Sequence, residues 1–159
     1  GVWTHGDWIH IDPLKGIIIK GRSDATLNRS GIRIGTSEIY SALNQIDEIK
    51  DSLIIDLNIE NSSKLILFIS SISDVNSQIK KRIKNTLKTQ CSPRHIPNLI
   101  FGVKEIPYTI SGKKMEIPVK KIMAGKKIED TISKGAMKNP DCLNEFIDIK
   151  NQYLKSLDQ

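Results

Sequence analysis

The sequence predicts an α+β fold in which helices pack on a three-stranded β-sheet. Residues 52–59 and 64–71 are rich in Ile and Leu and flank a short polar turn, which predicts a β-hairpin. Residues 75–87 carry apolar side chains at helical spacing and follow Asp74, which can cap the helix. Residues 99–103 then predict the third strand. This order of strands and helices, with antiparallel pairing, indicates a small α+β sandwich.

The flanking segments predict smaller elements. Residues 8–20 contain two apolar runs around an Asp-Pro turn, which predicts another hairpin. Residues 21–31 are rich in Gly, Ser, Asp and Asn and predict a loop, or a junction between two units. A helix is predicted to start at Thr36. Near the end, a polar stretch is followed by two short helical patterns, at residues 142–147 and 151–157.

The composition is that of a water-soluble chain of 159 residues that can bury a core, with 38% hydrophobic and 26% charged residues. No apolar run approaches the ~20 residues that a membrane-spanning helix needs. Cys91 and Cys142 match no metal-binding or disulfide spacing, so we expect reduced thiols and a cytoplasmic location. The net charge of +6 suits an anionic ligand or a nucleic acid, but 5% aromatic residues leave few platforms for stacking bases.

Three short clusters carry candidate chemistry, and each has a plain structural interpretation as well. Asp7 follows a glycine and could accept hydrogen bonds from two sugar hydroxyls, or simply occupy a turn. Residues 21–40 pair arginines with glycines and could equally be a polar surface loop. Lys113 directly follows Gly112, so it could be a solvated loop charge or a cation delivered to a phosphate.

In this order and at these separations, the clusters resemble the C-terminal part of the adenylate-forming enzymes. That superfamily comprises acyl-CoA synthetases, peptide-synthetase adenylation domains and luciferases. The matching segments are HGD at 5–7, GRSDA at 21–25, GIRI at 31–34, EI at 38–39 and PYTISGK at 107–113. The stretches GVWTHGDW, SPRH, IPYTISGKK and GAMKNPDCLNEF are similar to the acetoacetyl-CoA synthetase branch, which extends the resemblance from residues 1–123 nearly to the end.

The resemblance implies a domain organisation. Residues 1–23 would end the large N-terminal adenylation domain, residues 24–123 would form the C-terminal lid domain, and residues 124–159 would form a partly helical tail. The chain begins with Gly1 rather than Met, and it lacks the family's phosphate loop and its adenine and acyl pockets. We therefore expect a piece of a longer polypeptide that requires the missing N-terminal domain and is inactive alone.

The same resemblance implies roles for four residues of the adenylation step. Asp7 and Arg22 would bind the ribose of the nucleotide. Asp24 matches the hinge about which the lid rotates between half-reactions, although Ala25 replaces the acid that usually follows it. Lys113 would be the catalytic residue, with its ammonium between the carboxylate and the α-phosphate.

In the thioester-forming step the lid would present another face. Gly31 would line the path of the pantetheine arm, and Arg33 would lie near the active-site phosphate. Lys88 falls, by a looser match, where some relatives bind a phosphate of CoA. Lys114, next to the catalytic position, is interpreted as ordinary surface charge.

The implied reaction converts acetoacetate, ATP and CoA into acetoacetyl-CoA, AMP and pyrophosphate through an acyl-adenylate. ATP with Mg²⁺ and CoA would be substrates of the full-length enzyme, with no metal ligands in this part of the chain. The expected partners are these small molecules and the N-terminal domain, without nucleic acid or membrane. Two alternatives stay open: a ligase for acetate, propionate or another short acid, and a non-catalytic basic binding module.

Overall fold

The computed structural model describes residues 7–13, 16–22, 26–29, 31–59 and 62–157. It has the predicted α+β architecture, with a three-stranded sheet, two small hairpins and flanking helices. The strands are β1 (Asp7–Ile11), β2 (Ile17–Arg22), β3 (Leu27–Arg29), β4 (Ile32–Ile34), β5 (Ile49–Ile59), β6 (Ser62–Ser71) and β7 (Leu99–Gly102). The α-helices are α1 (Thr36–Leu43), α2 (Ser77–Gln90), α3 (Glu116–Met123) and α4 (Leu143–Leu157).

The central sheet has the strand order β5-β6-β7. Strands β5 and β6 form the predicted antiparallel hairpin, but β7 pairs with β6 in parallel. The expectation of antiparallel pairing throughout is therefore wrong for β7. The reason is the connection, because helix α2 carries the chain back along the sheet so that β7 runs in the same direction as β6.

Both faces of the sheet are buried. Side chains alternate along β6, so that Leu67 packs on one face and Phe68 on the other. The first face packs against α1, α2, β3 and β4, and the second against α3 and α4. Burial on both faces explains why β6 reads as a nearly continuous apolar run instead of an alternating one.

Helix α2 shows the predicted apolar face, with Ile79, Ile83 and Leu87 buried. Its cap is Asn76 and not Asp74, because the Asn76 side chain accepts hydrogen bonds from two free backbone amides of the first turn. The helix therefore starts closer to its first buried residue than the sequence predicted.

The predicted hairpin at residues 8–20 is confirmed as β1 and β2, which are antiparallel. The loop predicted over residues 21–31 is wrong in two places, since Arg22 ends β2 and Leu27 starts β3. Strand β3 pairs with β4, and its first residue, Leu27, is buried in the same cluster as Ile34. This burial gives a polar-looking segment a strand conformation.

The C-terminal part of the chain ends in one helix, α4, where the sequence predicted two short ones. Phe146 and Ile149 are both buried against the second face of the sheet, so the apolar stripe continues between the two predicted pieces. Across the described residues, no helix combines the length and the apolar character needed to cross a membrane.

Candidate active site

Lys113 lies at the end of a tightly closed turn. The amide of Thr109 donates to the carbonyl of Lys113 at 2.9 Å, and the amide of Gly112 donates to the carbonyl of Thr109, also at 2.9 Å. The amide of Lys113 donates in turn to the Thr109 hydroxyl at 3.0 Å. Gly112 has φ +78°, a left-handed conformation that glycine adopts without the steric cost of a side chain. These bonds give the backbone of Lys113 a defined position.

The side chain of Lys113 extends into solvent. The residue is exposed, and the hydrogen bonds that it makes with the described residues all involve its backbone atoms. Within the part of the chain that the structure describes, no acceptor holds its ammonium. The turn thus presents a compact positive charge on a long stem, which is available to a ligand.

Lys114, the next residue, has a different environment from the one predicted. Its ammonium lies 2.6 Å from a carboxylate oxygen of Asp51 and 2.5 Å from the carbonyl oxygen of Ser52. It also lies 4.2 Å from the centroid of the Tyr40 ring, a cation–π distance. The interpretation of Lys114 as ordinary surface charge is therefore wrong, because its side chain is only 22% exposed and is held by three partners.

Asp51 also binds the residue at the other end of the turn. Its second carboxylate oxygen accepts a hydrogen bond from the Tyr108 hydroxyl at 2.7 Å. Burial, and then the nearby Asp51 carboxylate, raise the pKa of Tyr108 well above its usual value, so the hydroxyl remains a donor at neutral pH. Tyr108 and Lys114 pair with each other in an antiparallel bridge, so one carboxylate holds both ends of the turn.

The segment before α4 supports the turn from another side. The amide of Lys138 donates to the carbonyl of Tyr108 at 3.0 Å, and the Asn139 side chain accepts from the amide of Tyr108, also at 3.0 Å. The Asn139 amide group donates to the carbonyl of Ile106 at 2.9 Å. The sequence reasoning missed Asp51, Tyr108 and Asn139. Of these three, Tyr108 could have been found from the sequence, because Tyr108 and Lys114 are placed symmetrically around the turn.

The predicted ribose-binding residues lie opposite each other. Asp7 and Arg22 are paired positions in the backbone register of β1 and β2. The hinge position, Asp24, and its neighbour Ala25 lie outside the described residues, as do His5 and Gly6. The structure thus pairs the backbones of Asp7 and Arg22 and does not describe the hinge.

The residues predicted for the thioester-forming step lie on another part of the surface. Gly31 forms the turn between β3 and β4 with φ +84°, and its amide donates to the Asn28 side chain at 3.0 Å. Arg33 in β4 and Lys88 in the last turn of α2 are exposed. Strands β3 and β4 pack on the first face of the sheet, whereas the Lys113 turn leads into α3 on the second. Lys113 and the pair of Gly31 and Arg33 are thus carried by different elements of one small domain.

Other reactive groups are weak candidates for chemistry. Burial raises the pKa of Cys142 to about 11 and also raises the pKa of Cys91, so both are neutral thiols at pH 7 and poor nucleophiles. The described residues contain no group of three or more His, Cys, Asp or Glu side chains that could hold a metal ion.

The chain is similar to known proteins both in sequence and in structure. No protein-family model matches the chain. It is 42% identical over 153 residues to acetoacetyl-CoA synthetase of Gallus gallus, and 40% identical over 147 residues to acetoacetyl-coenzyme A synthetase of Rhizobium meliloti. These alignments include 94% and 91% of the chain. The structure of acetoacetyl-CoA synthetase from Streptomyces lividans matches 95% of it with a TM-score of 0.84 and 34% identity. The chain belongs to the family of adenylate-forming ligases.

Within the adenylate-forming family, the fold corresponds to the C-terminal domain of an acyl-CoA synthetase. The chain spans about a fifth of the length of these relatives, 22% of the Gallus gallus protein and 23% of the Streptomyces lividans chain. The structure of the anthranilate CoA ligase AuaEII, with a TM-score of 0.68 and 22% identity, shares the fold. The family resemblance predicted from the motifs is thus confirmed by sequence and by structure.

Proposed function

We propose that this chain is the lid of an ATP-dependent ligase that joins acetoacetate to CoA. The observation that carries the proposal is the Lys113 ammonium, which is exposed at the end of a hydrogen-bonded turn in a domain of the adenylate-forming fold. The overall reaction consumes acetoacetate, ATP and CoA and yields acetoacetyl-CoA, AMP and pyrophosphate.

In the first half-reaction, a carboxylate oxygen of the acid attacks the α-phosphorus of ATP. The new bond joins carboxylate and phosphorus, and the bond to pyrophosphate breaks. Negative charge on the acid and on the phosphoryl oxygens comes together in the transition state, where an ammonium at close range is strongly stabilising. Since the Lys113 ammonium has no acceptor among the described residues, it can approach these oxygens without breaking an existing ion pair.

In the second half-reaction, the CoA thiol attacks the carbonyl carbon of the adenylate, and AMP leaves. We propose that the lid turns about Asp24 and presents its other face, with Gly31 beside the pantetheine arm and Arg33 near a phosphate. Asp7 and Arg22 would bind the ribose in both steps, which agrees with their paired positions in β1 and β2. Lys88 would contact a phosphate of CoA.

The substrates follow from the same reasoning. Mg²⁺ would arrive with ATP, since the described residues offer no metal-binding cluster of their own. Acetoacetate is the favoured acid because the relatives described above are acetoacetyl-CoA synthetases. Acetate or propionate is the alternative, and a comparison of kcat/KM for the three acids on the full-length ligase distinguishes them.

The test uses Lys113→Ala in the full-length ligase that carries this chain. Acetoacetate-dependent exchange of labelled pyrophosphate into ATP reports the first half-reaction, and release of AMP from synthetic acetoacetyl-adenylate plus CoA reports the second. We expect the exchange rate to fall by about 10²–10³, the usual loss for one transition-state charge contact. The second half-reaction should change by less than about threefold, since it uses the other face.

Lys121→Ala is the matched control, because Lys121 is an exposed lysine on the adjacent helix α3. It should leave both half-reactions unchanged. Undiminished exchange in Lys113→Ala would refute the role of Lys113. The 159-residue chain alone should form no AMP from ATP, acetoacetate and CoA, and clear AMP formation would contradict its assignment as a lid.

A further inference from the structure

The starting point is the way in which the Lys113 turn is attached to the domain. On one side the turn pairs with the segment before α4, where the amide of Ile110 donates to the carbonyl of Ala136 at 3.0 Å. On the other side it is attached through the two residues that bracket it, Tyr108 and Lys114. Both side chains point back to the same carboxylate, that of Asp51 in β5. Asp51 precedes Lys114 by 63 positions in the chain, so this contact joins the turn to the central sheet.

The Asp51 carboxylate uses both of its oxygens for this attachment. Oδ1 accepts from the Lys114 ammonium at 2.6 Å, and Oδ2 accepts from the Tyr108 hydroxyl at 2.7 Å. Oδ1 also accepts from the amide of Ser52 at 2.7 Å, which orients the carboxylate relative to its own strand. The side chain of Asp51 is 27% exposed and that of Lys114 22%, so water screens this pair only partly.

A carboxylate is the side chain that this site requires. It is an acceptor on both oxygens, and both of its partners are donors. An amide in its place would present an NH₂ group either to the ammonium, which cannot accept, or to the Tyr108 hydroxyl, which would have to turn its proton away and accept. Asparagine at this position therefore removes the ion pair with Lys114 and reverses or breaks the hydrogen bond with Tyr108.

We propose that Asp51 is the positioning residue for Lys113, holding the base of its turn in register with the sheet. This inference rests on the proposed function of Lys113 in adenylate formation. Asp51 itself does not contact substrate. Its effect is geometric, because a long flexible side chain delivers its charge accurately only if its backbone is held, and a misplacement of about 1 Å can cost roughly 10² in rate.

The first experiment measures the position of the turn without catalysis. Backbone order parameters of Thr109, Gly112 and Lys113 are obtained by NMR on the 159-residue chain and on its Asp51→Asn variant. We expect a fall from about 0.85, the value of a rigid backbone, to below about 0.6. Asp56→Asn is the matched control, because it removes a carboxylate–lysine contact of 2.7 Å between β5 and α3 without touching the turn. It should leave these order parameters unchanged.

The second experiment measures both half-reactions in the full-length ligase. Asp51→Asn should lower the rate of adenylate formation by about 10- to 100-fold, with KM for ATP within about twofold and the thioester step unchanged.

Tyr108→Phe removes one of the two attachments and no charge, so it should give a smaller loss in the same step. Asp51→Glu, which restores a carboxylate, should recover part of the rate. In the Lys113→Ala background, Asp51→Asn should have no further effect.

The outcomes separate this inference from the function on which it rests. Unchanged order parameters in Asp51→Asn overturn it, whatever Lys113→Ala does. It is also overturned if Lys113→Ala abolishes exchange while a folded Asp51→Asn or Tyr108→Phe keeps the full rate. If Lys113→Ala keeps normal exchange, the proposed function fails instead, and the NMR result still decides whether Asp51 holds the turn. Should Asp51→Asn fail to fold, Tyr108→Phe provides the same comparison with one contact removed.

Discussion

Replacement of Phe146 by alanine tests whether helix α4 is part of the folded core. Phe146 is fully buried, and its ring centroid lies 4.8 Å from that of Phe68 in the middle of the sheet. Truncation to alanine removes the buried ring and leaves a cavity, which costs about 3–5 kcal/mol in well-packed cores. Since 1 kcal/mol shifts the melting temperature of a domain of this size by about 2–4 °C, we expect a fall of roughly 6–20 °C.

The assay is thermal unfolding and equilibrium unfolding in urea, both followed by circular dichroism, on the 159-residue chain. Leu154→Ala is the control, because Leu154 lies on the same helix and is 49% exposed. It should cost less than about 1 kcal/mol. If Phe146→Ala costs no more than Leu154→Ala, or if α4 melts in a separate earlier transition, then residues 143–157 are an appended tail and the packing argument is wrong.

Three further predictions concern single residues. Gly112→Ala and Gly125→Ala should each lower the free energy of unfolding by about 1–2 kcal/mol in thermal melts. The cost comes from the positive φ of both glycines, because an added Cβ would meet no other atom at either position. Only Gly112→Ala should also slow adenylate formation, and equal rates in the two variants would contradict this. Asn76→Ala should destabilise the chain by about 1 kcal/mol and Asp74→Ala by less, since Asn76 caps α2. Alkylation of Cys142, followed by mass spectrometry, should rise with pH up to an inflection near its pKa of about 11, and a plateau above pH 9 would refute the raised pKa.

Much of the fold follows from local patterns in the sequence. Strands β5 and β6 were predicted from short apolar runs and a polar turn, and α2 from its repeating buried face. The sequence predictions were wrong where two neighbouring residues were nearly equally suited to one role, or where a residue far along the chain determined the local structure. Asp74 and Asn76 are both good caps, and only the start of the helix distinguishes them. The parallel direction of β7 depends on the path of α2, which no single strand encodes.

The candidate site divides in the same way. The motifs were sufficient to predict the family, because several clusters occur together in a recognisable order and at comparable separations, although each one alone is ambiguous. Lys113 and Lys114 are adjacent and chemically identical, so no local pattern could show that one extends into solvent and the other binds Asp51. Neighbouring residues of an extended backbone point in opposite directions, and which direction meets a partner depends on the sheet behind the turn. Residue type and order therefore account for the charge, and long-range packing accounts for where that charge is held.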